Sequence, residues 1–379
     1  MTPDVLIIGA GIIGAALAEA LSERGLRVHV LEAGVPGAGT SAAGMGHLVV
    51  LDDNPAELAL SRDGVERWRA RREALPAAVE FRQCGTLWVA RDAEEMVEVE
   101  RKHAAYSALG IDSERLDASA LYRHEPNLAP GMAGGLRMPG EGVIYPPAAV
   151  AWLLARAQTQ GARLERHARV TELLDGGVRL ADGRVLRASR VVLAAGNASV
   201  ALLPELPLKA RKGQLVITER HSGFLNHQLV ELAYIKNAHG SDGDSVAFNL
   251  QPRATGQILI GSSRQYDDLS PELNWPLLKR MLDTAFAYMP GLRELTALRA
   301  WTGFRPTSPD KLPLLGPVPG RPGLWLATGH EGLGITTALS SAALLADRLT
   351  GTAPALDPAP FDPARFSELR ASQPEACHG

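Results

Sequence analysis

Cysteine is nearly absent from this chain. Cys84 and Cys377 are the only two in 379 residues, far apart and in no metal-ligand spacing, so neither a disulfide framework nor a metal site is expected. A strong charge imbalance is missing too: 39 basic and 42 acidic side chains leave a net charge of −3. No global field then draws the chain to nucleic acid or acidic lipid. Long unbroken apolar runs are also lacking. VLIIGAGIIGAALAEAL, at 5–21, comes nearest, but Gly9, Gly11 and Gly14 punctuate it and Glu19 lies within it. A membrane span needs about 20 apolar residues. MTPD precedes the run without the positive charge of a signal peptide. Internal repeats are absent. These absences leave a soluble chain, expected in the reducing cytoplasm or peripherally at the inner membrane face, and long enough for two domains.

What is present begins with a β-α-β pattern. DVLIIGAGIIGAALAEALSERGLRVHVLEAG, at 4–34, predicts a buried strand over 4–8, a helix over 11–24 and a second strand over 27–31. Between the first two stands G-x-G-x-x-G. Gly9 permits the tight turn, Gly11 lets the backbone approach a pyrophosphate, and Gly14 lets the helix pack against the strand. Ile12 and Ile13 open the helix, whose unpaired N–H groups favour phosphate. Glu32, followed by Ala33, can accept hydrogen bonds from ribose hydroxyls and would repel the extra phosphate of NADP.

Two further segments favour FAD over NAD. AGVPGAGTSAAGMGHL, at 33–48, is a loop of small residues. In it Thr40 and Ser41 can bond phosphates, and the backbone through Ala43, Gly44, Met45, Gly46 and His47 can reach a flavin. LWLATGHEGLGITTALSSAALLADRL, at 324–349, repeats strand, glycine turn and helix. Gly329, Gly332 and Gly334 occupy the turn, and a helix from about Ile335 would present its N-terminus to the charge that develops on reduced flavin. RVVLAAGNAS, at 190–199, is a strand ending in small residues, Ala195 and Gly196 among them, where it would pass beneath a dinucleotide. An NAD-dependent dehydrogenase explains 4–34 but leaves 329–335 idle.

Together GAGIIG (9–14), Glu32, GTSAAGMG (39–46), LAAGNAS (193–199), KGQLVI (212–217), GFRP (303–306) and GHEGLGI (329–335) resemble the D-amino acid oxidase/glycine oxidase family of FAD oxidoreductases. The resemblance spans nearly the whole chain. It implies an α/β fold with a discontinuous Rossmann-like FAD-binding domain (1–80, 145–210 and 299–379). An α+β substrate domain on a mixed or antiparallel sheet would take 81–144 and 211–298. Strand character over 215–220, 245–252 and 257–265, and helical periodicity over 278–292, agree. The resemblance adds Val170, Gly303, His330, Glu331, Leu333 and Thr336 to the FAD contacts. His47 and His330 are expected to bond the flavin or supply backbone N–H groups there, rather than move protons. Lys212 lies either near the flavin or in a solvated basic turn. His221, His227 and His239 are expected on the surface. Monomeric sarcosine oxidases, which the resemblance implies share this fold, attach FAD through a cysteine; RAWTGFRP (299–306) contains none, so FAD is expected to be non-covalent.

In this family the arginine of GxRP binds the substrate carboxylate, and Arg305 occupies that place. A guanidinium holds a carboxylate by two parallel hydrogen bonds, fixing orientation as well as position. Met45 and Gly332 are implied as further substrate neighbours. The expected reaction is hydride transfer from Cα to flavin N5. Where a glycine oxidase is expected to show His and Tyr, this chain reads Ala247-Phe248-Asn249. The resemblance is nearer to dehydrogenases of D-hydroxyproline, proline or opines and to cyanide-forming synthases. D-Hydroxyproline is the favoured substrate, with Asn249 or Arg264 bonding the ring hydroxyl; Arg264 is either such a contact or a cation at the rim. Electrons would pass to iron–sulfur or flavoprotein partner subunits or quinone, in a homo- or hetero-oligomer. An oxidase forming peroxide and a flavoprotein scaffold without turnover are the rivals.

Overall fold

The computed structural model describes residues 2–51, 54–232, 243–266 and 268–370. His239 and Cys377 lie outside these. Two sheets carry the fold. The first has six strands in the order Leu314–Pro317, Leu324–Thr328, Arg190–Leu193, Val5–Ile8, Val28–Glu32 and Arg163–Arg166. All its pairings are parallel except that of the edge strand Leu314–Pro317. Val5–Ile8 is buried throughout, as its continuous apolar character requires. One face is covered by the helices Ile12–Glu23, Pro146–Thr159 and Ala338–Thr350, packed around Leu17, Leu21, Leu153 and Leu345. A three-stranded antiparallel sheet, Val170–Leu174, Gly177–Leu180 and Val185–Arg187, packs on the other face through Val178 and Leu180.

The second sheet has eight strands. Their order is Ala297–Thr307, Lys209–Thr218, Ile258–Arg264, Ser245–Pro252, Gln228–Glu231, Thr86–Ala90, Gly134–Met138 and Glu114–Asp117. It is mixed: Gln228–Glu231 runs parallel to Thr86–Ala90, and the other pairs are antiparallel. The helix Trp275–Tyr288 lays Leu278, Met281 and Ala285 on one face, where Tyr288 stacks on Phe248 with ring centroids 4.1 Å apart. Asn274 caps this helix by accepting from Leu277 N, which moves its start ahead of the expected 278.

Two strands join the parts. Lys209–Thr218 and Ala297–Thr307 pair along ten positions and belong to the eight-stranded sheet, although 299–307 was expected with the dinucleotide part. Ala297–Thr307 also meets the loop that follows the strand Val28–Glu32: Trp301 Nε1 donates to Ala43 O at 3.2 Å and Thr40 Oγ1 to Phe304 O at 2.7 Å. The proline-rich tail wraps the surface through two 3-10 turns and buries Phe361 in the first core. No described helix is long and apolar enough to cross a membrane.

Candidate active site

The β-α-β unit builds one wall of a cavity of about 970 Å³. Close packing at its base depends on Gly14, where a Cβ would stand 2.0 Å from Gly9 O. Glu32, at the end of its strand, accepts from Ala10 N and from Gly34 N, each at 2.8 Å. These two bonds fix the carboxylate and leave a lone pair on each oxygen for a ligand. Ser41 Oγ accepts from Ile12 N at 3.0 Å, which supplies the cap that Gly11 lacks and leaves the hydroxyl proton to donate. Thr40 spends its hydroxyl proton on Phe304 O.

The cavity gathers segments remote in sequence. Of the residues expected to touch FAD, Gly9, Gly11, Ile12, Ile13, Glu32, Ala33, Thr40, Ser41, Ala43, Gly44, Val170, Ala195, Gly196, Gly303, His330, Glu331, Gly332, Gly334 and Ile335 line it, and Arg305 lines it with them. Gly14, Met45, Gly46, His47, Gly329, Leu333 and Thr336 do not. Thr336 acts behind the wall, donating to His47 O at 2.8 Å and accepting from Val49 N at 3.3 Å. The helix expected from Ile335 begins at Ala338. Helical bonding nevertheless starts in the preceding turn, where Thr337 N donates to Leu333 O at 2.9 Å.

At Arg305 the cavity becomes ionic. Strand register sets Arg211 directly opposite Arg305, so both guanidinium groups project from one face. Arg305 Nη1 donates to Ser263 O at 3.3 Å. Arg211 Nη1 donates to Glu331 Oε1 at 2.6 Å, and Arg211 lies over the Tyr266 ring, 4.9 Å from its centroid. Glu331 has φ of 48°. Its N–H bonds Pro306 O at 3.0 Å, and its Oε2 accepts from Gly332 N. Burial pushes the Glu331 carboxyl up, but Arg211, Arg305 and Arg264 override this and hold it below its ordinary value. Burial, with repulsion from Arg211 and Arg305, lowers Arg264 to about 10 despite the attraction of Glu331. It stays charged at neutral pH. Burial lowers His330 to about 3. Burial and the Arg305 charge lower His47 to about 3. Both imidazoles are therefore neutral at pH 7, and His330 Nε2 shares a hydrogen bond with Ser341 Oγ at 3.1 Å.

A model of the FAD dependent oxidoreductase family, DAO, matches residues 4–348. The chain belongs to this family. Glycine oxidase of Pseudomonas putida is 31% identical over 96% of this chain and 99% of its own. Hydrogen cyanide synthase subunit HcnC of Pseudomonas aeruginosa is 29% identical, with 96% of each chain covered. The solved glycine oxidase of Geobacillus kaustophilus, 25% identical, superposes with a TM-score of 0.86 over 96% of this chain and 99% of that one.

This DAO-family chain is an FAD-dependent amino acid or amine oxidoreductase, and its cavity fits the cofactor. The walls between Glu32 and Arg305 are built largely from Gly and Ala, and the volume is at the upper end of the roughly 300–1,000 Å³ of small-molecule pockets. Glu32 would hold the ribose, and the Gly9–Gly14 turn with Ser41 the pyrophosphate. Asn249 and Arg264 do not line this cavity. Asn249 is buried opposite Gly261, and Met45 Sδ lies 3.2 Å from where a Gly261 Cβ would be.

Several site neighbours escaped the sequence reading. Arg211, Gly213 and Ser263 surround Arg305, and Asn197 Nδ2 joins Thr40 on Phe304 O. RKG at 211–213 was the available signal. Lys212 neither lines the cavity nor is solvated: it is buried on the face opposite Arg211, its Nζ 2.6 Å from Asp268 Oδ2. His227, expected at the surface, is buried against Glu125 at 2.8 Å. His221 is exposed.

Proposed function

We propose that this oxidoreductase breaks the Cα–H bond of a small or cyclic amino acid, converting its Cα–N bond to an imine while Arg305 grips the carboxylate. One observation carries the reading: a single cavity is lined both by the dinucleotide turn with Glu32 and by the Arg305 guanidinium. Bound FAD supplies the acceptor for the hydride at its N5. The chain's own part is positioning and electrostatics. Arg305 orients the substrate through two parallel hydrogen bonds. Its strand is tied to the cofactor loop by the bonds from Thr40 and Asn197 to Phe304 O, so that clamp and cofactor site form one rigid unit. The excess of guanidinium charge favours the neutral amine, the form that can lose hydride.

D-Hydroxyproline comes first within this class and proline next. This preference rests on the resemblance to dehydrogenases of cyclic amino acids; Asn249, whose Oδ1 is buried with no partner among the described residues, lies outside the cavity and does not support it. Similarity to a glycine oxidase supports an amino acid substrate, and similarity to a cyanide synthase subunit supports an iron–sulfur or flavoprotein partner, or quinone, as electron acceptor. The site of action would be the cytoplasm or the inner membrane face.

Anaerobic mixing of the yellow holoenzyme with D-hydroxyproline, proline, glycine, N-methylglycine and D-alanine tests the proposal. Bleaching by at least one supports it, and the fastest identifies the substrate. Retention of the oxidised spectrum with every member would sink it in favour of a scaffold. Peroxide formed in air would assign oxygen as the acceptor.

A further inference from the structure

We infer that Glu331 is the anionic partner of the substrate nitrogen: its carboxylate accepts the amine N–H and stabilises the positive charge that grows on nitrogen as hydride leaves Cα. The assignment rests on the proposed Cα–N oxidation and extends it from the carboxylate end of the substrate to the reacting end.

Glu331 lines the same cavity as Arg305. Its backbone is fixed at φ 48° by the bond from its N–H to Pro306 O, immediately after Arg305. Non-glycine residues adopt such left-handed geometry uncommonly, and here the carboxylate meets Arg211, which stands directly opposite Arg305 on the neighbouring strand. One oxygen takes the Arg211 guanidinium at 2.6 Å, the other the Gly332 N–H. A carboxylate has about four acceptor positions, so two remain after these bonds. The side chain is only 16% exposed, and the guanidinium groups of Arg211, Arg305 and Arg264 keep it ionised. A fixed anion and a fixed guanidinium in one pocket match the two ends of an amino acid.

The chemistry gives this anion a task. When the Cα–H bond breaks, its electron pair goes to the bound FAD, and the nitrogen lone pair forms the C=N bond. Nitrogen becomes positive, and no proton need move in that step. A negative group already in place stabilises this charge without reorganising. The surrounding arginines leave the pocket net positive, so Glu331 can bond the neutral amine without holding it as an inert ammonium ion.

The discriminating pair is N-methylglycine and methoxyacetate, identical in shape except that an N–H is replaced by an ether oxygen. Dissociation constants for methoxyacetate come from perturbation of the flavin spectrum, and those for N-methylglycine from the concentration dependence of anaerobic bleaching. The native holoenzyme should bind the amine about tenfold or more tighter, the scale of a hydrogen bond to a charged group. In Glu331→Gln the amide can donate to the ether. Methoxyacetate should then bind equally well or tighter, while the amine binds about tenfold weaker and its limiting bleaching rate falls. Glu331→Asp should restore part of the preference.

Parallel weakening of both ligands in Glu331→Gln would show a merely structural role and overturn the assignment, as would an unchanged preference. Should that variant fail to fold, equal affinity of the native enzyme for the two ligands would overturn it equally. Bleaching by amines with no Glu331 effect leaves Cα–N oxidation standing, whereas no bleaching by any amine overturns both.

Discussion

The guanidinium of Arg305 occupies space that a side chain on Gly213 would fill. A Cβ at position 213 would stand 2.7 Å from Nη1 and 2.9 Å from Nη2, and 2.9 Å from Ser263 O. The glycine sits two residues beyond Arg211, on the same sheet face, and its missing side chain leaves room for the guanidinium to reach Ser263 O. Gly213→Ala should therefore push Arg305 from its seat. Steady-state kinetics should show KM for the amino acid rising about tenfold or more, with stability lowered by about 1–3 kcal/mol from overpacking. An unaltered KM would mean that the guanidinium does not hold the substrate from this position.

Arg305→Lys keeps the charge but loses the fork. An ammonium cannot make two parallel hydrogen bonds to a carboxylate. KM should rise by about tenfold to a hundredfold, the effect of losing a charge-assisted hydrogen bond. Titration with a non-oxidisable carboxylate should show the same loss, and equal affinities in the two proteins would argue against the clamp.

His330 makes native stability fall in acid. It is 5% exposed, and its pKa drops from 6.5 to about 3 through burial. Below about 6.5 the unfolded chain takes up this proton while the native state refuses it. Stability is therefore lost as pH falls through that window, at about 1.4 kcal/mol per unit. Urea unfolding of the wild type and His330→Gln at about pH 7 and pH 5 measures the difference. The wild type should lose about 2 kcal/mol more than the variant over this interval; identical losses would contradict a neutral buried imidazole.

The cofactor should be held without a covalent bond. Cys84 is the single cysteine among the described residues, and it does not line the cavity. Acid precipitation should leave the flavin absorbance in the supernatant, and a yellow pellet would disprove the expectation.

Local chemistry made the cofactor half of this protein readable. Strand, glycine turn, helix and acid lie within 4–34, so their geometry follows from short-range sterics and hydrogen bonds. The ionic end was only partly readable. GFRP pointed to Arg305, yet nothing near it in the chain indicates Arg211, Gly213 or Ser263, and Glu331 stood out as part of a glycine turn rather than as a counter-ion. Lys212 and Arg211 are adjacent in sequence but point to opposite faces, a difference set by the two-residue period of a strand. His227 could pass for a surface residue until Glu125, 102 positions earlier, is brought against it.

By itself, then, the chain's order of residues determined the glycine turn, the acid that follows it and the arginine of GFRP, because each depends on neighbours a few positions away. Tertiary structure alone decided which charges face one another. The pairing of Arg211 with Arg305 is a matter of register between strands about 90 residues apart in sequence, and the approach of Glu331 depends on a left-handed turn docking beside Pro306. A shift of one residue in that register would turn Arg211 to the other face of the sheet.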